Sequence, residues 1–378
     1  MRTAHSRYYL TLVAAKQAII DSSDAAQGVA ALQAEFDNIR AGWQWAVTSG
    51  DVAALHPCIP PLLRYFVLTG QAVEGGNFAD EALQKAAMWL DLWTDTEPAK
   101  TLSIQQFCAD LHAMRARIYF KQARYAAAID HAEQALLFAE QCHAPRTAAL
   151  ANLYWGIALV NQGDYGVAAE KLTSALQRAQ ATGWRKVESD ALRALGTLAN
   201  MQNDLASARR YYERSLVISQ DLDDPRGTSA TLGNVGSICR QQGDFAAAES
   251  FLAQSLAIHR QIGDRSSEGR TLSMLGELSA DLEEYAEAER HFGEALDILR
   301  ALGENHYAAD VLVALGRVYF VQSRREWAVA CWEEAAAIYT AANEKPLLEE
   351  VQRYLQRVRD SAIPADPSAP AKKGVYRL

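Results

Sequence analysis

The stretch that decides the fold is residues 243–264, which read GDFAAAESFLAQSLAIHRQIGD. Gly243 can adopt the left-handed conformation that ends a helix, and Asp244 can cap the helix that follows. Between the two Gly-Asp pairs, apolar and small residues recur at spacings of three and four, which line one helical face: Phe245, Ala248, Phe251, Leu252, Ser255, Leu256 and Ile258. The preceding residues 228–241 have the same periodicity. The sequence therefore predicts a helix–turn–helix hairpin.

This hairpin pattern recurs every forty residues without a gap. One small residue of the second helix is invariant: Ala128, Ala168, Ala208, Ala248, Ala288 and Ala328. A second small position falls in the first helix: Ala116, Gly156, Gly196, Gly236, Gly276 and Gly316. Glycine within a helix costs about 1 kcal/mol relative to alanine. Its recurrence therefore predicts close packing, in which this position faces the small alanine of the second helix.

These residues resemble the tetratricopeptide repeat, whose pattern includes a Leu-Gly pair in the first helix and an alanine in the second. The Leu-Gly pair is matched by Leu195–Gly196, Val235–Gly236, Leu275–Gly276 and Leu315–Gly316. The period is forty residues rather than 34, which implies longer helices and a longer loop. The resemblance implies an all-α fold, a right-handed superhelical solenoid of antiparallel helix hairpins.

The pattern also predicts how the chain is divided. Residues 109–340 hold six units, and residues 1–108 form an irregular helical region that includes a degenerate repeat. Residues 341–360 are amphipathic and predict a capping helix, because a solenoid needs an end with a polar outer face. Residues 361–378 are rich in Pro, Ala and Ser and are predicted to be disordered.

A second resemblance lies in the N-terminal region. The segment 35–41, with Trp43 and Trp45, and the segment 65–70 resemble a region of large bacterial signalling ATPases. In those proteins, which include maltose-regulator-like transcription factors, the region separates a nucleotide-binding domain from a tetratricopeptide array. The resemblance implies a sensor module of signal transduction or transcriptional regulation, either freestanding or cut from a longer protein. The sequence has no GxxxxGK[ST] motif and therefore no phosphate-binding loop of that type.

Composition narrows the classes of partner and compartment. The net charge is −9 and the pI is about 5.5, which argues against direct binding of nucleic acid or of an anionic membrane. No apolar run reaches the ~20 residues of a membrane helix. The five cysteines are scattered without a CxxC pair, which predicts a reducing, cytoplasmic compartment and no zinc site. No metal or cofactor is predicted.

The candidate binding residues are those of the first helices that face away from the packing seam, on the expected concave side. They are Arg117, Tyr154, Arg193, Thr197, Asn234, Ser237, Arg270, Met274, Glu277 and Arg317. Arg193, Asn234 and Arg270 resemble wall residues with which tetratricopeptide proteins grip a terminal carboxylate. Thr197 and Met274 depart from that clamp, and ordinary solvated polarity is the alternative. The predicted partner is a protein or peptide, acidic or carboxylate-bearing, or another domain of the same regulator.

Catalysis has little support, since no HExxH, GxSxG or nucleotide-binding fingerprint occurs. The leading hypothesis is a non-catalytic scaffold that binds protein or peptide in its concave groove. A solenoid that senses a small molecule is the alternative, and a hidden hydrolase or transferase is a third hypothesis. Among the aromatic residues, Trp155, Trp327 and Trp332 are predicted to lie in the core, and Trp184 to be exposed in a loop.

Overall fold

The computed structural model describes residues 2–20, 25–94, 96–342 and 344–361, and all regular elements within them are helices. The predicted all-α fold is confirmed. The disordered tail predicted for 361–378 lies, from residue 362 onward, outside the described residues. None of the described helices combines the length and the apolar character needed to cross a bilayer.

The chain divides into two compact units, Met1–Thr231 and Leu232–Leu378. The first contains α1 Arg2–Ala15, α2 Gln17–Ile20, α3 Ala25–Ala34, α4 Phe36–Ser49, α5 Val52–Leu55, a 3-10 turn at His56–Cys58, α6 Ile59–Leu68, α7 Ala72–Trp93, α8 Pro98–Lys121, α9 Tyr125–Gln141, α10 Pro145–Gln162, α11 Tyr165–Ala181, α12 Arg185–Met201 and α13 Leu205–Asp221. Helix α14, Pro225–Gln241, spans the boundary. The second contains α15 Phe245–Gln261, α16 Arg265–Asp281, α17 Tyr285–Ala301, α18 Asn305–Val321, α19 Arg325–Ala342 and α20 Lys345–Ser361.

The forty-residue period consists of two 17-residue helices and two three-residue turns, as in α11 to α18. The turns are short, so the extra residues of the repeat lie in the helices and not in a longer loop. Successive helices joined in this way are antiparallel and pack on each other, for example α10 on α11 and α18 on α19.

A left-handed residue recurs at the middle of every turn, twenty residues apart. Glycine supplies it at Gly163, Gly183, Gly243, Gly263 and Gly303, and other residues supply it at Ala123, His143, Asn203, Asp223, Glu283 and Ser323. At Gly243 the φ angle is 80°, and the next amide, that of Asp244, donates to the carbonyl of Cys239 at 2.9 Å. This is the Schellman arrangement that satisfies carbonyls at a helix end. The Asp244 carboxylate then accepts from the amide of Ala247 at 3.2 Å, as the predicted cap requires.

The glycines of the first helices make room for a large side chain of the second helix, sixteen residues later. The pairs are Gly156 with Leu172, Gly196 with Tyr212, Gly236 with Leu252, Gly276 with Phe292, and Gly316 with Trp332. A β-carbon on Gly156 would lie 2.6 Å from Cγ of Leu172, which is closer than real contacts allow. The predicted approach to the small alanine holds at Gly236, where the added β-carbon would lie 3.3 Å from the carbonyl oxygen of Ala248, but its nearest neighbours are atoms of the large side chain of Leu252.

The first repeat reverses this size pattern. Ala116 stands at the glycine position, and the residue sixteen positions later is Ala132, which is also fully buried. A methyl group on the first helix thus accompanies a small residue on the second. The two positions share one volume, as close packing of a protein interior requires.

The remaining elements complete the two ends. The irregular N-terminal region has its own aromatic core, in which Phe36 stacks on Tyr65 with ring centroids 5.1 Å apart and Trp43 is buried. In the second unit, α20 packs on α19, and Tyr354 stacks on Trp332 at 5.2 Å. The opposite face of α20 is exposed and polar, with Arg353, Gln356, Arg357 and Arg359.

His112 and His131 form a partly buried pair on α8 and α9 of the first unit. Their Nδ1 atoms lie 2.8 Å apart, and the ring of Phe138 stacks on His112. Burial, followed by the neighbouring His131 and Arg115, lowers the pKa of His112 to about 3. Burial and Arg115 also lower the pKa of His131. Both rings are therefore neutral at neutral pH.

We expect the turns to respond oppositely to two matched substitutions. Glu283→Gly should stabilise the protein by about 1 kcal/mol, because a left-handed non-glycine residue is strained. Gly243→Ala should destabilise it by a similar amount, since a β-carbon there meets no other atom and only the backbone angle is penalised. Thermal unfolding followed by circular dichroism measures both. Equal shifts in the same direction would contradict the account of the turns.

The histidine pair predicts loss of stability in mild acid. Between pH 6.5 and about 3 the unfolded chain binds a proton that folded His112 does not, so its contribution is complete above pH 6.5 and falls as the pH falls. At pH 5 the loss is about 2 kcal/mol. Urea unfolding at pH 7 and pH 5 should show a smaller difference for His112→Gln than for the parent. His5→Gln, at an exposed position, is the control and should behave like the parent.

Candidate functional site

In the first unit, the predicted binding residues lie on the first helices of successive hairpins. Arg117 lies on α8, Tyr154 on α10, and Arg193 and Thr197 on α12, and all four are half-buried. Helix α10 packs against both α8 and α12. These residues therefore share one polar face across three neighbouring helices, which we call the α8–α10–α12 face.

A network of charges lies on the α12 side of this face. Arg193 donates from Nη2 to Oδ1 of Asp190 at 2.8 Å, and Nζ of Lys186 lies 3.5 Å from the same oxygen. Lys186 also reaches Oδ2 of Asp224 at 2.5 Å. Arg193 is thus neutralised by its own helix. Asp190 is not among the residues predicted from the sequence, although the spacing of Lys186, Asp190 and Arg193 by four and three places them on one helical face.

Protein surrounds much of the charge on the α8–α10–α12 face. Side-chain exposures of Asp190 and Arg193 are 22% and 31%, yet burial is the largest influence on both groups and on Tyr154, whose pKa it raises. Burial alone would raise the pKa of Asp190, but Lys186 and Arg193 outweigh it and hold that pKa below its usual value. These charged groups are therefore partly exposed and partly enclosed by protein.

Two hydrogen-bond donors of this face are free to meet a ligand. Within the described residues, the Arg117 guanidinium has no ion-pair partner, and the Tyr154 hydroxyl has no hydrogen-bond partner. Arg117 is close enough for its charge to lower the pKa values of Tyr154 and Asp190. Thr197, by contrast, is occupied, because its hydroxyl donates to the carbonyl of Arg193 at 3.2 Å and accepts from Tyr212 at 3.1 Å.

In the second unit, the candidates are Arg270, Met274 and Glu277 on α16 and Arg317 on α18, with Asn234 and Ser237 on α14. Glu277 accepts from Arg240 at 2.6 Å. Arg270 is exposed and lies over the ring of Tyr307, 4.8 Å from its centroid. In the forty-residue repeat, the position equivalent to Arg193 is Gly233, and the position equivalent to Asn234 is Met274. The three residues that resemble a carboxylate clamp therefore occupy different positions of their helices.

The aromatic residues only partly follow the prediction. Trp332 is buried at 1% exposure, and Trp155 is half-buried with Nζ of Lys171 4.1 Å from its ring centroid. Trp327 is 59% exposed, so its prediction as a core residue was wrong. The forty-residue register distinguishes it from Trp332, because Trp332 stands at the position of Leu172, Tyr212, Leu252 and Phe292, whereas Trp327 stands at that of Val167, Ser207, Ala247 and Glu287. Trp184 is half-buried in its turn. In the part of the chain that the structure describes, no cluster of three His, Cys, Asp or Glu residues could hold a metal.

Comparison with known proteins bears on the fold. No curated protein matches the chain significantly. The Rap conjugation gene regulator of plasmid pLS20, solved with the Phr* peptide, is similar at a TM-score of 0.61 and 13% identity over 92% of this chain and 97% of that one. Aspartyl phosphate phosphatase F from Bacillus subtilis is similar at a TM-score of 0.55 and 11% identity, over 89% of this chain and 94% of that one. A signal transduction ATPase with a tetratricopeptide repeat sensor, from Pyrococcus horikoshii, is similar at a TM-score of 0.52 and 13% identity, over 87% of this chain and 54% of that one.

At these identities the structural likeness shows the fold alone. The sequence itself matches the tetratricopeptide repeat family at residues 187–261 and 267–341. These segments fall on the helix hairpins from α12 to α19. The chain therefore contains tetratricopeptide repeats, over residues 187–261 and 267–341.

Proposed function

We propose that the protein is a non-catalytic regulatory scaffold and that the α8–α10–α12 face binds an extended peptide or protein segment. The observation that supports this most is the pair of unpartnered donors, Arg117 and Tyr154, on a half-buried polar face. Both residues are partly exposed, so an acceptor of the ligand can replace water at these donors.

The chemistry of the face favours a segment with a carboxylate. Arg117 offers a charge-assisted, bidentate donor, which suits a carboxylate better than a neutral carbonyl. Tyr154 can donate to the backbone of the same segment. Arg193 contributes less than the sequence pattern implies, since Asp190 already occupies it. A terminal or side-chain carboxylate at Arg117 is therefore the proposed anchor of the ligand.

A regulatory role is supported by the kinds of protein that have this fold. One similar structure contains a bound peptide, and another is an ATPase with a tetratricopeptide repeat sensor. We propose that this chain likewise acts as the sensor module of a bacterial signalling regulator, in which ligand binding on the repeats controls an effector. The similar phosphatase gives no catalytic assignment here, because the likeness is one of fold.

The proposal is tested by selecting ligands from a library of random linear peptides and measuring their affinities by fluorescence anisotropy. Arg117→Ala should weaken the selected peptides by about 10- to 100-fold, equivalent to the loss of one charged hydrogen bond of about 1.5–3 kcal/mol. Tyr154→Phe should weaken them about fivefold, because a single neutral hydrogen bond is worth about 1 kcal/mol.

The matched control is Arg210→Ala, which removes an exposed arginine from α13. It should leave the affinities unchanged. Selected peptides should be enriched in Asp, Glu or a free terminal carboxylate. Peptides that bind the Arg117→Ala and parent proteins equally would place the binding surface elsewhere.

A further inference from the structure

A solvent-open recess of about 430 Å³ lies on the second unit, away from the candidate residues of α16 and α18. Its walls are the second helices α15 and α17, and its floor is the C-terminal half of α16. Leu275 and Leu278 of α16 lie beneath the recess and are themselves buried, whereas Leu282 at its edge is 40% exposed. On the α15 wall, Leu256 is half-buried and the small residues Ala253 and Ala257 are exposed, so these residues and Leu282 supply the apolar surface of the recess.

The rim of the recess has an excess of negative charge. Arg260 pairs with Glu268 at 2.9 Å and with Glu294 at 3.4 Å. Arg290 pairs with Glu287 at 2.6 Å and with Glu294 at 2.7 Å. Both arginines are therefore neutralised by glutamates.

Two rim carboxylates remain unpaired. Glu249 and Glu284 are exposed, and neither has an ion-pair partner among the residues that the structure describes. An apolar surface beneath an acidic rim fits a segment that combines apolar side chains with Lys or Arg.

Residues 362–378 of the chain have this chemistry. They read AIPADPSAPAKKGVYRL. The final part of the segment, 372–378, has three cations, Lys372, Lys373 and Arg377, and the remaining side chains include Val375, Tyr376 and Leu378. Its composition is complementary to that of the recess in both charge and polarity.

The segment also starts at the right end of the helices. Because successive helices are antiparallel, the end of α20 at Ser361 lies on the same side as the start of α17. Glu284 immediately precedes α17. Helix α20 packs on α19, α19 on α18 and α18 on α17. Three interaxial steps of about 8–10 Å separate α20 from α17 by at most about 30 Å. The eleven residues from 361 to 372 can span about 36 Å when extended.

We propose that residues 372–378 dock in the recess between α15 and α17 of their own chain, with Tyr376 or Leu378 against Leu256 and Leu282 and the basic side chains at Glu249 and Glu284. The docked segment covers Leu282, which is otherwise 40% exposed. This contact lies outside the α8–α10–α12 face and does not depend on its function.

Photocrosslinking in the full chain tests the proposal. The probe is benzoylphenylalanine in place of Tyr376, and the cross-linked peptides are identified by mass spectrometry after digestion. Cross-links should fall on α15 and α17. Ala253→Trp, which fills the recess, and the pair Glu249→Lys with Glu284→Lys should each lower their yield about tenfold. The pair Glu326→Lys with Glu333→Lys makes the same charge change at exposed sites on α19 and should leave the yield unchanged.

Two further measurements keep the outcomes distinct. Circular dichroism establishes that each variant retains its helical content, and Ala257→Trp serves as a second filling variant. An equal mixture of light and isotopically heavy chains separates contacts within a chain from contacts between chains. Cross-links that join light to heavy chains, that fall outside α15 and α17, or that persist at full yield in both filling variants would overturn the proposal.

Discussion

The hairpins depend on one steric constraint, the close approach of a glycine in the first helix to a large side chain in the second. Glycine weakens the first helix by about 1 kcal/mol, and a methyl group in its place would overlap Leu172, Tyr212 or the equivalent residue. The burial of that large side chain more than offsets this cost, since a fully buried leucine or aromatic residue contributes about 1.5–3 kcal/mol. Packing, rather than helix propensity, therefore determines the residue at this position.

The turns determine the spacing of the helices. Each three-residue turn has one left-handed residue, so helices of 17 residues follow one another at constant spacing and the same helical face recurs. This regularity explains why a forty-residue register can be followed from Ala116 to Gly316 without insertion. It also explains why the residues of the α8–α10–α12 face lie on neighbouring helices although they are far apart in sequence.

The sequence was sufficient to predict the repeat and the helix ends, because these depend on local spacing. It was insufficient for the partner of each glycine, since a small residue indicates a crowded site but not which side chain fills it. The pairing of Lys186 with Asp224 connects residues 38 positions apart and has no local signature. The exposure of Trp327 could have been predicted, because its position in the repeat holds Ser207 and Glu287 in other units, whereas Trp332 stands opposite the glycine of its hairpin.

The steric constraint is tested most directly by a double-mutant cycle on Gly156 and Leu172. Gly156→Ala alone should lower the free energy of unfolding by about 1–3 kcal/mol through overpacking. In the Leu172→Ala background, which imitates Ala116 and Ala132, the same change should raise it by up to about 1 kcal/mol through helix propensity. A Gly156→Ala substitution that stabilises the protein equally in both backgrounds would contradict the account.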